Sequence, residues 1–140
     1  MERNLYEHEC KYYETDQMGI IHHSNYIRFM EEARIAFLKQ IGFPMEKIEA
    51  DGIVSPVVNV SCDYKKMSYF ADVLCIRVTV KEYRGVKLIL GYEMTEKSTG
   101  EVRATATSTH CFMKKDGSLA VLKKAIPELD NILRELASTS

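Results

Sequence analysis

The chain reads as one α+β domain, an antiparallel sheet packed on a single long helix. A change of period and a set of turn signals carry that reading. Residues 25–41 (NYIRFMEEARIAFLKQI) hold strong helix formers and neither Gly nor Pro, whereas from residue 53 apolar and polar residues alternate. Arg84-Gly85, Thr99-Gly100 and Asp116-Gly117 then divide the alternating stretches as turns. With 140 residues and no repeat, linker or low-complexity tract, one domain spanning 1–140 is expected.

In order along the chain, LYEHECKY (residues 5–12) alternates, with Tyr6, His8, Cys10 and Tyr12 on one face, and predicts a first strand. Ser24 or Asn25 offers an N-cap for the long helix, and Gly42 followed by Pro44 marks its stop. Arg28, Glu31, Glu32 and Lys39 share one side of that helix, which lets i,i+3 and i,i+4 pairing account for the two acids. Tyr26, Phe29, Met30, Ala33, Phe37 and Ile41 line a broad apolar face, suited to a helix covered by other structure. Four strands follow. Val58, Val60, Cys62 and Tyr64 share a face of the first, and Leu74, Ile76, Val78 and Val80 of the second. Val86 to Met94 alternates in the third, and the fourth runs from about Val102 to Met113. Pro127 near the start of PELDNILRELA predicts a short terminal helix over about 127–137.

Composition narrows the function. Hydrophobic residues make up 46% and charged residues 28%, as in an ordinary folded chain. Nineteen Lys and Arg offset 20 Asp and Glu without a basic run, so no nucleic-acid partner is expected. The start, MERNLYEHECKYYE, lacks the apolar core of a signal peptide, and no apolar run approaches a membrane span; a cytoplasmic location is expected. Cys10, Cys62, Cys75 and Cys111 are scattered without a CxxC pair and read as small buried hydrophobes. No His/Asp/Glu set has metal-ligand spacing, so neither metal nor cofactor is expected.

Residues 12–26, YYETDQMGIIHHSNY, combine an acid, a glycine, two isoleucines and a histidine pair just ahead of the long helix. A helix N-terminus leaves backbone N–H groups unpaired and attracts negative charge. The N–H groups around His23 to Tyr26 fall at that end, and Asp16, on a loop bent by Gly19, could face a carbonyl held there. Thioester hydrolysis asks for little more. A nucleophile or activated water attacks, the carbonyl oxygen needs a place for its charge, and a thiol of pKa near ~8.5 leaves readily.

The motif Y-x-E-T-D-x-x-G-I-I-x-H-x-x-Y, followed by a helix bearing E-E-A-R and an antiparallel meander, resembles the hotdog-fold acyl-CoA thioesterases. Within them it is similar to the 4-hydroxybenzoyl-CoA thioesterase-like group, which includes the Tol-Pal-associated acyl-CoA thioesterases. The resemblance runs from about residue 4 to 125. It implies a five-stranded antiparallel sheet wrapped around a long central helix. It also implies an acyl-CoA substrate hydrolysed without cofactor, and subunits paired as a homodimer or homotetramer with active sites at their junction.

Carried over by that resemblance, Asp16 is the catalytic acid, as nucleophile or general base, and the backbone N–H of His23 polarises the thioester carbonyl. The His23 side chain and Tyr12 are implicated in some members, and Gly19 supplies the bend. His22 and Tyr26 are candidate pocket residues. Arg84, Lys87 and the Lys65-Lys66 pair are candidate contacts for the CoA phosphates. KKMSYFADV (residues 65–73) stands where many relatives carry a proline-containing segment. A non-catalytic acyl-CoA binder and a hotdog dehydratase are the alternative functions, and Asp16 speaks against pure binding. An oligomer is also expected because one helix leaves a sheet face open, with Cys75, Ile89 and Gly91 on it.

Overall fold

A computed structural model describes residues 5–139; residues 1–4 and 140 of the expected domain lie outside the described residues. The chain runs β1 (Leu5–Glu9), a 3-10 turn (Tyr12–Glu14), α1 (Ser24–Gln40), α2 (Met45–Ala50), β2 (Ile53–Val54) and β3 (Val57–Tyr64). It continues through β4 (Val73–Tyr83), β5 (Lys87–Glu96), β6 (Val102–Cys111), β7 (Met113–Lys114), α3 (Leu122–Ala125) and α4 (Pro127–Ser138). The five longer strands make one antiparallel sheet in the order β1-β4-β5-β6-β3, and β2 with β7 forms a separate two-stranded ribbon.

The period-two stretches bury one side each. Leu74, Ile76, Val78 and Val80 of β4 and Leu88, Leu90, Tyr92 and Met94 of β5 form the core with Phe29, Met30, Ala33 and Phe37 of α1. A register shift between Val80 and Glu82 then turns Tyr83 inward, as a bulge does by adding one residue to one strand. Tyr83 donates a 2.6 Å hydrogen bond to the buried Asp130, which also accepts from Arg134, and α4 is thereby pinned against β4.

Several expectations are corrected. The first strand stops at Glu9; Cys10 donates to Asp72 O and accepts from Ala71 N instead of continuing the ladder. Tyr12 therefore leaves the face shared by Tyr6 and His8 and sits exposed in the 3-10 turn. The strand expected over 102–113 breaks at Phe112, whose side chain enters the core, and Met113 pairs with Val54 in the ribbon. Only β4, β5 and β6 form a meander, because β3 crosses over to pair with β6.

The open sheet face is polar rather than apolar. Arg77, Thr79, Lys81, Glu93, Thr105 and Thr107 line it. Gly91 lies under the Lys81 side chain, where an added Cβ would stand 2.7 Å from Lys81 Cε. The apolar exposure is at the sheet edge, on β3, where Val57, Val58 and Tyr64 are each about half exposed or more. Of the helix acids, Glu31 pairs with Arg34 rather than Arg28, and Glu32 accepts from Tyr6 Oη and faces His8 Nδ1 across to β1.

Candidate active site

The stretch between β1 and α1 is held by one buried acid. Glu14 accepts from His8 Nε2 at 3.0 and 3.1 Å and from Lys11 N at 2.7 Å. Its backbone oxygen accepts from His22 N (2.9 Å) and Asn25 Nδ2 (2.8 Å). Glu14 thus clasps β1, the 3-10 turn and the start of α1 together. Charge-assisted bonds of this kind are among the stronger ones in a folded chain.

From this clasp a tight turn projects. Thr15 pairs with Ile21, Asp16 N donates to Ile20 O, and Gly19 N donates to Asp16 O. Gly19 has φ +77°, a conformation that glycine adopts without a Cβ penalty. Asp16 Oδ1 accepts from Met18 N at 2.8 Å and more weakly from Ile20 N at 3.4 Å, an Asx-type turn. The second carboxylate oxygen of Asp16 makes no hydrogen bond to a described residue.

The helix start differs from the expected Ser24 or Asn25 cap. His23 already has helical angles (φ −56°, ψ −30°), and the cap is the His22 ring, whose Nδ1 accepts from Ser24 N at 3.2 Å. Asn25 spends its side chain on Glu14 instead. Asn25 N and Tyr26 N donate to His22 O and His23 O, and His22 N to Glu14 O. Among the N–H groups of residues 22 to 26, that of His23 alone has no acceptor among the described residues. The capping geometry therefore leaves one free donor at the positive end of α1.

Asp16 and His23 line the same cleft, about 660 Å³ in volume. Met18, Ile20 and Ile21 from the turn, Tyr26 from α1 and Tyr64 from β3 form its apolar walls. Tyr64 donates to His23 O at 3.2 Å and packs edge-on against Tyr26, with ring centroids 5.1 Å apart. Lys65, Lys66, Met67 and Tyr69 form the opposite wall, from the segment flagged in the sequence. That wall is anchored to the turn by Ile21 N donating to Ser68 O.

Arg103, absent from the sequence-derived set, secures it from beneath. Its Nη1 donates to Met67 O, Ser68 Oγ and Asp72 Oδ2, and its Nε to Glu101. Burial works against the charged guanidinium, but the bonds to Asp72 and Glu101 outweigh it and hold the pKa above the usual arginine value. An isolated Arg on an alternating strand carries no sequence signal for this role.

The structure brings together Asp16, His23, Tyr26, Lys65 and Lys66, and separates the rest. Tyr12 is 76% exposed and packs edge-on against Phe70, outside the cleft lining. His22 caps the helix and stacks on His23 rather than lining the cleft. Gly19 acts through its backbone alone. Arg84 and Lys87 lie at the β4–β5 hairpin, where both face Glu82. The length of β4, roughly 30 Å at strand rise, separates them from the cleft of the same chain. Turn position alone could not place them, because which end of a strand meets the site is a property of the topology. Among the described residues no group of three or more His, Cys, Asp or Glu is arranged to hold a metal ion, and no helix is long and apolar enough to cross a membrane.

This fold and cleft agree with what the chain resembles. The model of the Thioesterase-like superfamily matches residues 10–135. The chain belongs to that superfamily. YneP of Bacillus subtilis, named for a proposed acyl-CoA thioesterase activity, is 36% identical over 123 residues, covering 87% of this chain and 88% of its own. The acyl-CoA thioesterase YbgC of Haemophilus influenzae is 26% identical over 96 residues, or 67% of this chain and 71% of its own. Among solved structures, the DHNA-CoA thioesterase of Staphylococcus aureus superposes with a TM-score of 0.91 at 27% identity, over 96% of this chain and 90% of that one.

Proposed function

We propose that the protein hydrolyses an acyl-CoA thioester to the free acid and CoA, with Asp16 and the His23 backbone N–H as its working pair. One observation carries the reading: a carboxylate oxygen and a helix-terminal N–H, both without a hydrogen-bond partner among the described residues, belong to residues that line one cleft. The thioester carbonyl oxygen accepts from His23 N, which favours the charge that develops there. Asp16 attacks the carbonyl carbon directly or removes a proton from the water that does. The C–S bond then breaks, and CoA leaves as thiolate; after direct attack the acyl group stays on Asp16 as a mixed anhydride, which water hydrolyses to the free acid and the restored carboxylate. No cofactor enters this scheme. Lys65 and Lys66 line the cleft wall, which supports a contact between their ammonium groups and the CoA phosphates.

In this reading the sheet wraps around α1 in the hotdog manner, and two copies join through β3. An eight-residue edge strand without an internal proline and with exposed Val57, Val58 and Tyr64 is a liability in a lone subunit, which pairing removes. Tyr64 also lines the cleft, so pairing there places the site beside the junction. The polar open sheet face lends no support to further association.

Release of free thiol from a panel of acyl-CoAs tests the activity, and light scattering at micromolar concentration tests the pairing. Turnover of at least one acyl-CoA by a species of twice the 16.1 kDa chain mass or more is the expected result. A panel without turnover would refute the hydrolase reading. A fully active monomer would refute the pairing.

A further inference from the structure

One turn further along α1 lies a second, smaller cavity that the chemistry above leaves unused. Tyr26 and Tyr64 line the first; Ile27, Met30, Val57 and Val60 wall the second, about 210 Å³ in volume. An apolar cavity of ~150 Å³ is enough for a benzene ring, so this one has room for part of an acyl group.

Its floor is polar. Tyr92 Oη lies 2.7 Å from Ser108 Oγ, which lies 2.7 Å from His110 Nε2, all three residues being buried. Arg34 reaches the cavity from α1. It is only 7% exposed, yet its guanidinium makes no hydrogen bond to a described residue. Its ion pair is with Glu31, 3.9 Å away on the solvent side. A buried guanidinium left without hydrogen bonds is costly unless something else supplies acceptors.

One orphan atom sets the direction of the relay. His110 Nδ1 is buried without a hydrogen-bond partner among the described residues. Burial, and secondarily the Arg34 charge, pushes the His110 pKa down to about 4, so the ring is neutral at physiological pH. An N–H at Nδ1 would leave a donor unpaired; with the proton on Nε2, Ser108 Oγ accepts it. The Ser108 hydroxyl then donates to Tyr92 Oη. The Tyr92 hydrogen has no acceptor left among the described residues and is free to turn into the cavity.

We propose that this cavity selects acyl groups whose far end carries a hydroxyl, with Tyr92 and Arg34 donating to its oxygen and Glu31 accepting its hydrogen. A bare alkyl end would leave both donors unpaired. A carboxylate would suit Arg34 but would face Glu31. From His23 to Arg34 the helix rises about 16 Å at ~1.5 Å per residue, and helical side chains lean back towards the N-terminus. The polar floor is therefore within reach of a medium-length acyl chain whose carbonyl sits at His23. The inference rests on the acyl-CoA reading above and narrows its substrate class.

The test compares alkanoyl-CoAs with their ω-hydroxyalkanoyl counterparts, hexanoyl to decanoyl, by kcat/KM. Hydrolysis-resistant thioether analogues of the same pairs give Kd in parallel. At the best-fitting length the hydroxylated member should be favoured roughly tenfold or more, as in sites built to bond a substrate hydroxyl. Tyr92→Phe should bring that ratio close to one by lowering kcat/KM on the hydroxylated member, since only a hydroxyl is removed. Arg34→Met should lower the ratio in the same way. Turnover without preference at every length, or a preference untouched by Tyr92→Phe, would overturn the inference. A Kd preference without turnover would support the cavity assignment and overturn the hydrolase reading instead.

Discussion

Replacing His23 by proline removes the one backbone donor assigned to the carbonyl oxygen, and the structure indicates that the fold will accept the change. Proline fixes φ near −65 ± 15°, and His23 already sits at φ −56°. Its N–H bonds to no described residue, so no hydrogen bond is lost. With the His22 ring as the functional cap, His23 occupies the first helical position, where proline is favoured. The cost in stability should therefore stay within about 1 kcal/mol, chiefly from the loss of ring packing on His22 and Tyr64. The cost in rate should be much larger. Removing one oxyanion donor typically lowers kcat by ~10² to ~10³, about 2.7 to 4 kcal/mol of transition-state stabilisation. His23→Ala is the paired control, because it deletes the ring and keeps the amide. It should lose roughly tenfold at most, the scale of a modest side-chain contribution. Thermal melts and steady-state thiol release on the best acyl-CoA give both quantities. A folded His23→Pro variant with wild-type kcat would refute the oxyanion assignment. Equal losses in the two variants would move the role to the imidazole.

Asp16→Asn keeps an oxygen for Met18 N and should leave the melting temperature nearly unchanged while kcat falls on the order of 10²-fold or more; Asp16→Ala should add about 1 kcal/mol of destabilisation as the turn loses its acceptor. Full activity in Asp16→Asn would return attention to Glu31 and Glu32. Glu14→Ala, which strips His8 and Lys11 N of a buried partner, should cost roughly 2–4 kcal/mol by denaturant titration, and a loss under 1 kcal/mol would show that the clasp matters little. His110 supplies a pH test. Its folded pKa of about 4 lies below the ordinary histidine value of 6.5, so protonation favours the unfolded chain. Its contribution is complete above about pH 6.5 and is lost as pH falls towards 4, up to roughly 3 kcal/mol. His110→Leu should flatten the dependence of melting temperature on pH across that window, and an unchanged slope would refute the assignment.

Local chemistry determined much of this protein. Leu74 to Val80 and Leu88 to Met94 alternate because one side of each strand is buried, and that period is written in the residues themselves. The helix, its stop at Gly42, and the turns at Gly85, Gly100 and Gly117, all with positive φ, follow from residue type in the same way. The placement of Asp16 and His23 at a strand-to-helix junction was legible because the loop is short and its glycine and histidines sit within a few residues. What depended on distant partners was not. Tyr12 alternates with Tyr6 and His8 in the sequence, but the ladder stops where Cys10 meets Asp72, some sixty residues away. The helix cap passed from Ser24 to His22 because Glu14 O takes Asn25 Nδ2 and His22 N. Arg84 and Lys87 were candidate phosphate ligands by turn position alone, and β4 carries them to the end of the sheet away from the cleft of the same chain. Arg103, Arg34 and His110 look alike in the sequence, as polar residues among apolar ones. Tertiary packing gave Arg103 four acceptors and gave Arg34, among the described residues, an ion pair to Glu31 and no hydrogen bond, because burial removes water and only the neighbours brought by the fold can replace it.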